Sequence, residues 1–407
     1  MGLLWFYHSL GQSKGRGCGR VFEGRKLKFA LVGPVYPYRG GIAHYTTMLC
    51  RTLRERGHEV LLVSFNRQYP QWLFPGQSDK DPSNEPLRVT EAHYWIDSLN
   101  PITWLLAFWR IWRYKPDALV LQWWTVFWAP EWFLLGGLQR LLARKPLLII
   151  CHNVLSHEGK WWDRWLARAV LGWGSQFIVQ SGEEQSRLIS ILPHAQVIVV
   201  PLPVFSMFAA KQIPKREARE KLKLPQDIPV LLFFGIVREY KGLIDLLRAM
   251  PRVVEEMGRI LLIIAGEFWE PKDLYLQLIK RLGIEESVLI ENCYIPNEQV
   301  PLYFSAADLV TVPYRRVTGS GVVQLALGFG VPLLTTSVGN LSQAVEGACS
   351  YLVVPPGDSE AIAHSIITYF SDSKGGKVAS GHIDEHSTSA WNDLVFALEG
   401  MVNEAHP

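Results

Sequence analysis

Cysteine is scarce in this 407-residue sequence, and its arrangement excludes two architectures. Cys18, Cys50, Cys151, Cys293 and Cys349 are odd in number, far apart and without any C-x-x-C pair, so neither a disulfide scaffold nor a zinc ribbon is built from them. They read as reduced cytosolic thiols, mostly in a core. Charge of one sign is also lacking: 41 basic against 38 acidic residues leave a formal net charge of +3, too little to indicate a nucleic-acid partner. With 48 % hydrophobic and 19 % charged residues, the chain is not a disordered one. No clean membrane span is present. Ala118 to Leu138 is the only stretch long enough, and it holds Pro130 and Glu131 after a β-like start. The opening residues lack a charged start, a sustained apolar run and a cleavage site, so residues 1–26 are expected to be a disordered extension and not a signal peptide. The glycine fingerprint G-x-G-x-x-G is missing, which disfavours a dehydrogenase.

What is abundant is tryptophan, 16 residues, most of them between Trp72 and Trp173. Indole rings suit a membrane interface, a sugar-stacking surface or a bulky core, and the sequence leaves the three open. The length predicts two or three domains at about 150 residues each.

The chain alternates short apolar runs with helical patterns. Lys28 to Val32 is a strand, followed by a loop ending in Gly40 and Gly41, a helix from about Ile42 to Arg56, and a strand from Glu59 to Phe65. Tyr69 to Pro86 is a long polar, proline-bearing excursion of the kind that is functional or mobile. Its Asp79-Lys80-Asp81 has the spacing of a metal-binding D-x-D, but no strand leads into it and a solvated turn is preferred. Pro101 to Tyr114 is an amphipathic helix with Arg110 and Arg113, and Lys160 to Trp173 is a basic aromatic one. The latter can rest on an anionic lipid surface or pack as core with its arginines reaching out. Pro146 to Cys151 is a strand ending at His152, on the ligand-binding edge of a parallel sheet, where a histidine is functional or structural.

After Pro201-Leu202-Pro203 and a charged stretch, the rhythm restarts with a strand from Pro229 to Phe234, a loop from Gly235 through Arg238 and Lys241, and a helix from Leu243 to Met257. Further strands are read at Arg259 to Ala265, Ser287 to Ile290, Leu309 to Val312, Pro332 to Thr335 and Tyr351 to Val354. The most informative stretch is Thr318-Gly319-Ser320-Gly321, hydroxyls and glycines leading into a helix from Val322 to Phe329. It is either a tight turn or a loop that presents backbone N–H groups to an anion at a helix start. Two runs of alternating strands and helices predict an α/β fold of two doubly wound, Rossmann-like domains facing each other across a cleft that holds the ligand.

The segments KFALVGPVYPYRGGIAHYTTMLCRTLRERGHEVLLVSF, FFGIVREYKGLIDLLRAM, YFSAADLVTVPY, GFGVPLLTTSVGN and VVPPGDSEAIAHSI together resemble the GT-B glycosyltransferases of family 4. The resemblance implies an acceptor-side domain at 27–204, an interdomain linker at 205–227, a nucleotide-sugar domain at 228–388 and a last helix at 389–403 crossing back to the first domain. It implies a retaining, metal-independent hexosyltransferase without cofactor. Its donor would be a nucleotide-diphosphate sugar, and its acceptor a glycan or lipid-linked glycan. The setting would be cytoplasmic, with peripheral membrane contact left open. Carried over, Gly40 and Gly41 resemble the pair that approaches donor phosphate and acceptor. Gly235, Thr318, Gly319, Ser320, Gly321 and Val322 resemble the donor-binding loops. Arg238 and Lys241 resemble the basic pair at the departing diphosphate, and His152 the histidine near the donor sugar. The family's paired glutamates are replaced by Val317 or Thr318 and by Gln324-Leu325, with Gln324 a candidate partner of a ribose hydroxyl. Gly339-Asn340 with Gln343, Leu202 and Ile236 are further departures. They leave two alternatives: a catalytically reduced nucleotide- or glycan-binding protein, or another GT-B enzyme such as a sugar-nucleotide epimerase.

Overall fold

The computed structural model describes residues 25–155, 161–317, 319–345, 350–372 and 386–405. The expected disordered extension therefore falls almost wholly outside the described residues, as does Thr318.

The first domain runs β1 (Lys28–Val32), α1 (Gly41–Glu55), β2 (Glu59–Arg67), β3 (Ala92–Asp97), α2 (Pro101–Tyr114), β4 (Ala118–Trp123), α3 (Ala129–Leu138), β5 (Leu147–Cys151), α4 (Asp163–Leu171), β6 (Gln176–Val179), α5 (Gly182–Ile191) and β7 (Val197–Val199). Two short helices follow, α6 (Ser206–Ala209) and α7 (Lys215–Lys221). The second domain runs β8 (Val230–Phe234), α8 (Leu243–Met257), β9 (Leu261–Ala265), α9 (Lys272–Leu282), β10 (Val288–Glu291), α10 (Val300–Ala306), β11 (Leu309–Val312), α11 (Gly321–Phe329), β12 (Leu333–Thr336), α12 (Leu341–Val345), β13 (Tyr351–Val354) and α13 (Ser359–Asp372); α14 (His386–Glu404) ends the chain.

Both sheets are parallel throughout. Their orders are β3-β2-β1-β4-β5-β6-β7 and β10-β9-β8-β11-β12-β13, the same doubly wound order extended by one strand in the first domain. The order reverses beside β1 and beside β8, so each sheet has its crevice beyond the carboxyl ends of those strands. The strands β4, β5, β6 and β8 are buried along their whole length, which is why β5 and β8 read in sequence as unbroken apolar runs and β4 and β6 as runs with one glutamine each. Burying each large side chain of this kind contributes about 1.5–3 kcal/mol. β3 escaped the sequence reading because it is a half-exposed edge strand with no such run. Ala118 to Leu138 is β4, a turn and α3.

Two connections tie the halves together. α6 and α7 pack on α11 and α10 of the second domain, and Arg219 on α7 is buried against Asp308. α14 returns to α1: Trp391 meets Tyr45 at 5.3 Å, and Glu399 accepts from Arg56 at 3.1 Å and pairs with His58 at 2.7 Å.

Candidate active site

The site is assembled from backbone first. Gly40 has φ +102 and caps α1, and neither it nor Gly41 has an atom within 4 Å of where a Cβ would stand. Side chains are absent here so that the start of α1 stays open to the cleft. Across from it, Gly235 follows β8 with φ +88, and a Cβ there would lie 3.4 Å from Lys241 Nζ and 3.5 Å from Val322 Cγ2. At α11 the Ser320 hydroxyl accepts from the Val323 N–H at 3.3 Å. Among the described residues, the Gly321 and Val322 N–H groups have no acceptor. This arrangement is an open helix start beside a cation, which suits an anion.

These elements surround a cavity of about 290 Å³ between the domains. Gly40 and Gly41 form one wall; Gly235, Lys241, Gly319, Ser320, Gly321 and Val322 form the other. Most of the remaining lining is apolar, from Phe205, Phe208, Phe234, Ile295 and Leu325. Burial therefore lowers the Lys241 ammonium to about 7, with the Arg238 charge adding to the effect. No ion pair among the described residues involves Lys241, and it stands 5.5 Å over the Tyr314 ring. Arg238 lines a second cavity, of about 480 Å³, which shares Gly40, Gly41, Ile236, Tyr240 and Tyr294 with the first and reaches Trp124, Phe127 and Tyr69. Its guanidinium lies 5.3 Å from the Trp269 ring. The two basic groups thus sit at adjoining chambers.

His152 is placed behind this surface and lines neither cavity. Its Nε2 donates to Gln122 Oε1 at 2.8 Å, and its Nδ1 accepts from Gln180 Nε2 at 3.0 Å. The Gln122 amide in turn donates to Thr46 at 2.7 Å, whose hydroxyl donates to the Ile42 carbonyl at 2.8 Å. Full burial holds the imidazole neutral, lowered to about 3. The ring connects the start of α1, through two glutamines, to the loop before α11: Gln180 Oε1 is 3.2 Å from where a Gly319 Cβ would be. Gln324 is buried and also lines neither cavity; Leu325 faces the first one instead.

The stretches Gly266 to Trp269 and Asn292 to Asn297, which the sequence offers for base selectivity without naming contacts, also reach the first cavity. Glu267 lines the first cavity and pairs with Arg39 of the other domain, while the Gln77 N–H donates to it at 2.6 Å and the Trp269 indole at 3.0 Å. The long loop therefore spans the cleft. Beyond Gln77, Asp81 accepts from the Asn297 amide at 3.1 Å and Asn84 donates to Glu298 at 3.1 Å. Asp81 of the D-x-D is thereby engaged with the second domain, and among the described residues no cluster of three or more His, Cys, Asp or Glu is arranged to hold a metal. His44, one turn into α1, lines the first cavity with its Nε2 buried and unpaired; burial lowers it to about 4. The only signal for it was its place three residues after Gly41.

Residues 40–203 match the family model described as glycosyl transferase 4-like domain, and residues 228–372 match the one described as glycosyl transferases group 1. The chain belongs to the group 1 glycosyltransferases. It is 27 % identical over 248 residues to a D-inositol 3-phosphate glycosyltransferase of Catenulispora acidiphila, covering 58 % of this chain and 59 % of that one. Against an uncharacterized glycosyltransferase of Methanocaldococcus jannaschii the identity is 23 %, over 85 % of this chain and 90 % of that one. The chain thus spans well under two thirds of the first of these relatives. The structure of Anabaena HepE in complex with UDP superimposes with a TM-score of 0.64 at 18 % identity, covering 93 % of this chain and 99 % of HepE, which shows a common fold. In this group 1 chain the two matched segments meet at the cavity between Gly40 and Lys241.

Proposed function

We propose that the chain transfers a sugar from a nucleotide-diphosphate donor to a glycan or lipid-linked acceptor in polysaccharide or glycoconjugate synthesis, with retention at the anomeric carbon and without a metal ion or organic cofactor. The observation that carries this reading is the convergence of Lys241, Gly235 and the open start of α11 on one wall of the interdomain cavity, opposite Gly40 and Gly41. When the anomeric C–O bond breaks, its electron pair stays on the diphosphate. In this reading Lys241 and the Gly321 and Val322 N–H groups, with Arg238 from the adjoining chamber, stabilise that charge as it develops. In same-face transfer the acceptor hydroxyl forms the new bond and its proton passes to the leaving phosphate oxygen, so no side-chain base is required. A lipid-linked acceptor would bring the chain to a membrane surface from outside it, since no described helix is long and apolar enough to cross one.

The test is calorimetric titration with UDP, GDP, ADP and CMP, with magnesium and with EDTA, followed by NMR of the product's anomeric configuration. Binding of one diphosphate that survives EDTA and disappears in Lys241→Ala is expected. Failure of all four to bind would overturn the reading. One observation favours a second reading, a binding protein with reduced catalysis: Val317 and Leu325 line the cavity and bring no carboxylate to it. That reading predicts donor binding without turnover when acceptor is supplied.

A further inference from the structure

Helices α2, α3 and α4 lie side by side on one face of the first sheet, α3 in the middle. Their inner sides are core, with Trp104, Phe108, Trp132 and Leu135 buried. Their outer sides are apolar as well. Trp109 and Trp112 on α2, Leu141 and Leu142 just past α3, and Trp161 and Trp165 at the start of α4 are all exposed, Trp161 to 78 % and Trp165 to 70 %. A soluble surface disperses such side chains, whereas this one gathers them on three neighbouring helices.

The charge on this face has one sign. Arg110, Arg113, Arg140, Arg144, Arg164 and Arg168 are exposed among the apolar residues. The only acids in 101–115, 129–145 and 161–172 are Glu131 and Asp163, and both are buried. None of the six arginines has a carboxylate partner among the described ion pairs. Arg113 lies 4.8 Å from the Trp109 ring, and Arg164 and Arg168 donate to the Ser190 and Ile191 carbonyls at the end of α5, so the cations are fixed without being neutralised. The whole chain carries only +3, so this is segregation of charge and not an overall excess.

We propose that the α2-α3-α4 face docks on an anionic lipid bilayer, with the indoles and leucines entering the headgroup region and the arginines meeting lipid phosphates. A second copy of the chain fits less well, because a two-fold contact would set the six arginines against their own images. The location also suits a lipid surface. α2 and α4 each begin beyond the carboxyl end of a strand, the cleft side of the sheet, and α4 packs against the Val126–Trp128 turn. Phe127 of that turn lines the second cavity, so the docking face borders the chamber that holds Arg238. This inference deepens the functional reading by assigning the surface through which a lipid-linked acceptor is presented, and bilayer binding itself is measurable without donor or acceptor.

The experiment is co-sedimentation of the full chain with phosphatidylcholine vesicles, pure or with a third of the lipid replaced by phosphatidylglycerol. Binding is expected only to the anionic vesicles, to weaken in high salt, and to fall about tenfold or more when Trp109, Trp112, Trp161 and Trp165 are changed together to Ser. Arg110→Glu with Arg164→Glu gives a second, charge-only variant with the same expected loss. These side chains are exposed, so unchanged melting and nucleotide binding show that the variants remain folded. Lys241→Ala is expected to lose nucleotide and keep vesicle binding, which separates failure of the docking surface from failure of the donor site. A wild-type chain that ignores anionic vesicles, binds neutral ones equally, or sediments as a dimer that both variants split overturns the proposal.

Discussion

Arg39 and Glu267 lie 228 residues apart and on different domains, yet they form an ion pair whose side chains are only 7 % and 3 % exposed. Gly76 is pressed against it: a Cβ there would lie 2.7 Å from the Arg39 guanidinium, the Glu267 carboxylate and the Trp269 indole at once. A side chain at this position would have to displace the pair or the indole for the long loop to reach them.

Gly76→Ala is therefore expected to lower unfolding free energy by about 1–3 kcal/mol, the usual range for overpacking a filled site. Arg39→Ala, which strands the Glu267 carboxylate, is expected to cost at least as much and to loosen the cleft. Urea denaturation reads the first effect and small-angle scattering the second; a wild-type melting curve for both would refute the clamp.

Nucleotide affinity is expected to depend on pH through Lys241. With its ammonium lowered to about 7, the group is charged below that pH and neutral above it. Diphosphate restores the charge on binding, so affinity should fall as pH rises through 7, by up to about tenfold per unit. Lys241→Arg, which stays charged, should flatten the profile. Calorimetry between pH 6 and 9 decides it, and a flat wild-type profile would count against this role.

His152 makes a prediction about stability. Its folded-state value near 3 is below the ordinary 6.5, so between these pH values the unfolded chain binds the extra proton and stability falls as pH drops. The group's share at pH 5 relative to pH 7 is about 2 kcal/mol. His152→Gln, which has no titration there, should show a smaller loss between the two pH values. Equal losses would mean that the ring is not buried neutral.

Ser320 caps α11 from the loop before it. Ser320→Ala is expected to cost about 1 kcal/mol of stability and, because the same turn aims the Gly321 and Val322 N–H groups, to weaken diphosphate binding as well. Stability loss with unchanged binding would place the anion elsewhere.

The fold was legible because the strands are short, mostly apolar runs whether central or at an edge: buried Leu309 to Val312 and the half-exposed edge strand Tyr351 to Val354 were both delimited correctly from sequence, as was the helix Pro101 to Tyr114. The Arg39–Glu267 pair was not, since nothing local to Glu267 announces a partner as distant in sequence as Arg39. Register was the other loss. Val322 faces the cavity, and Gln324, two residues on, is turned about 200° around the helix, whereas Leu325 at three returns to the same side. An adjacent pair of residues read without the helix axis could not distinguish them. The basic aromatic helix was left open between a lipid surface and core for a similar reason: the side that α4 buries is Ala167, Val170 and Leu171, while Trp161 and Trp165 are exposed, and only its neighbours decide which is which.

The return of α14 to α1 has a mechanical consequence. Residues 205–227 carry the chain out of the first domain, and α14, fixed by Trp391 and Glu399, brings it back, so the domains are joined at two places. Trp391 also stands 6.3 Å from Phe205, and its indole donates to the Val204 carbonyl at 3.3 Å. The outgoing segment and the returning helix are thus laid against each other on the first domain, and removing α14 would strip the cover from the point where the chain leaves it.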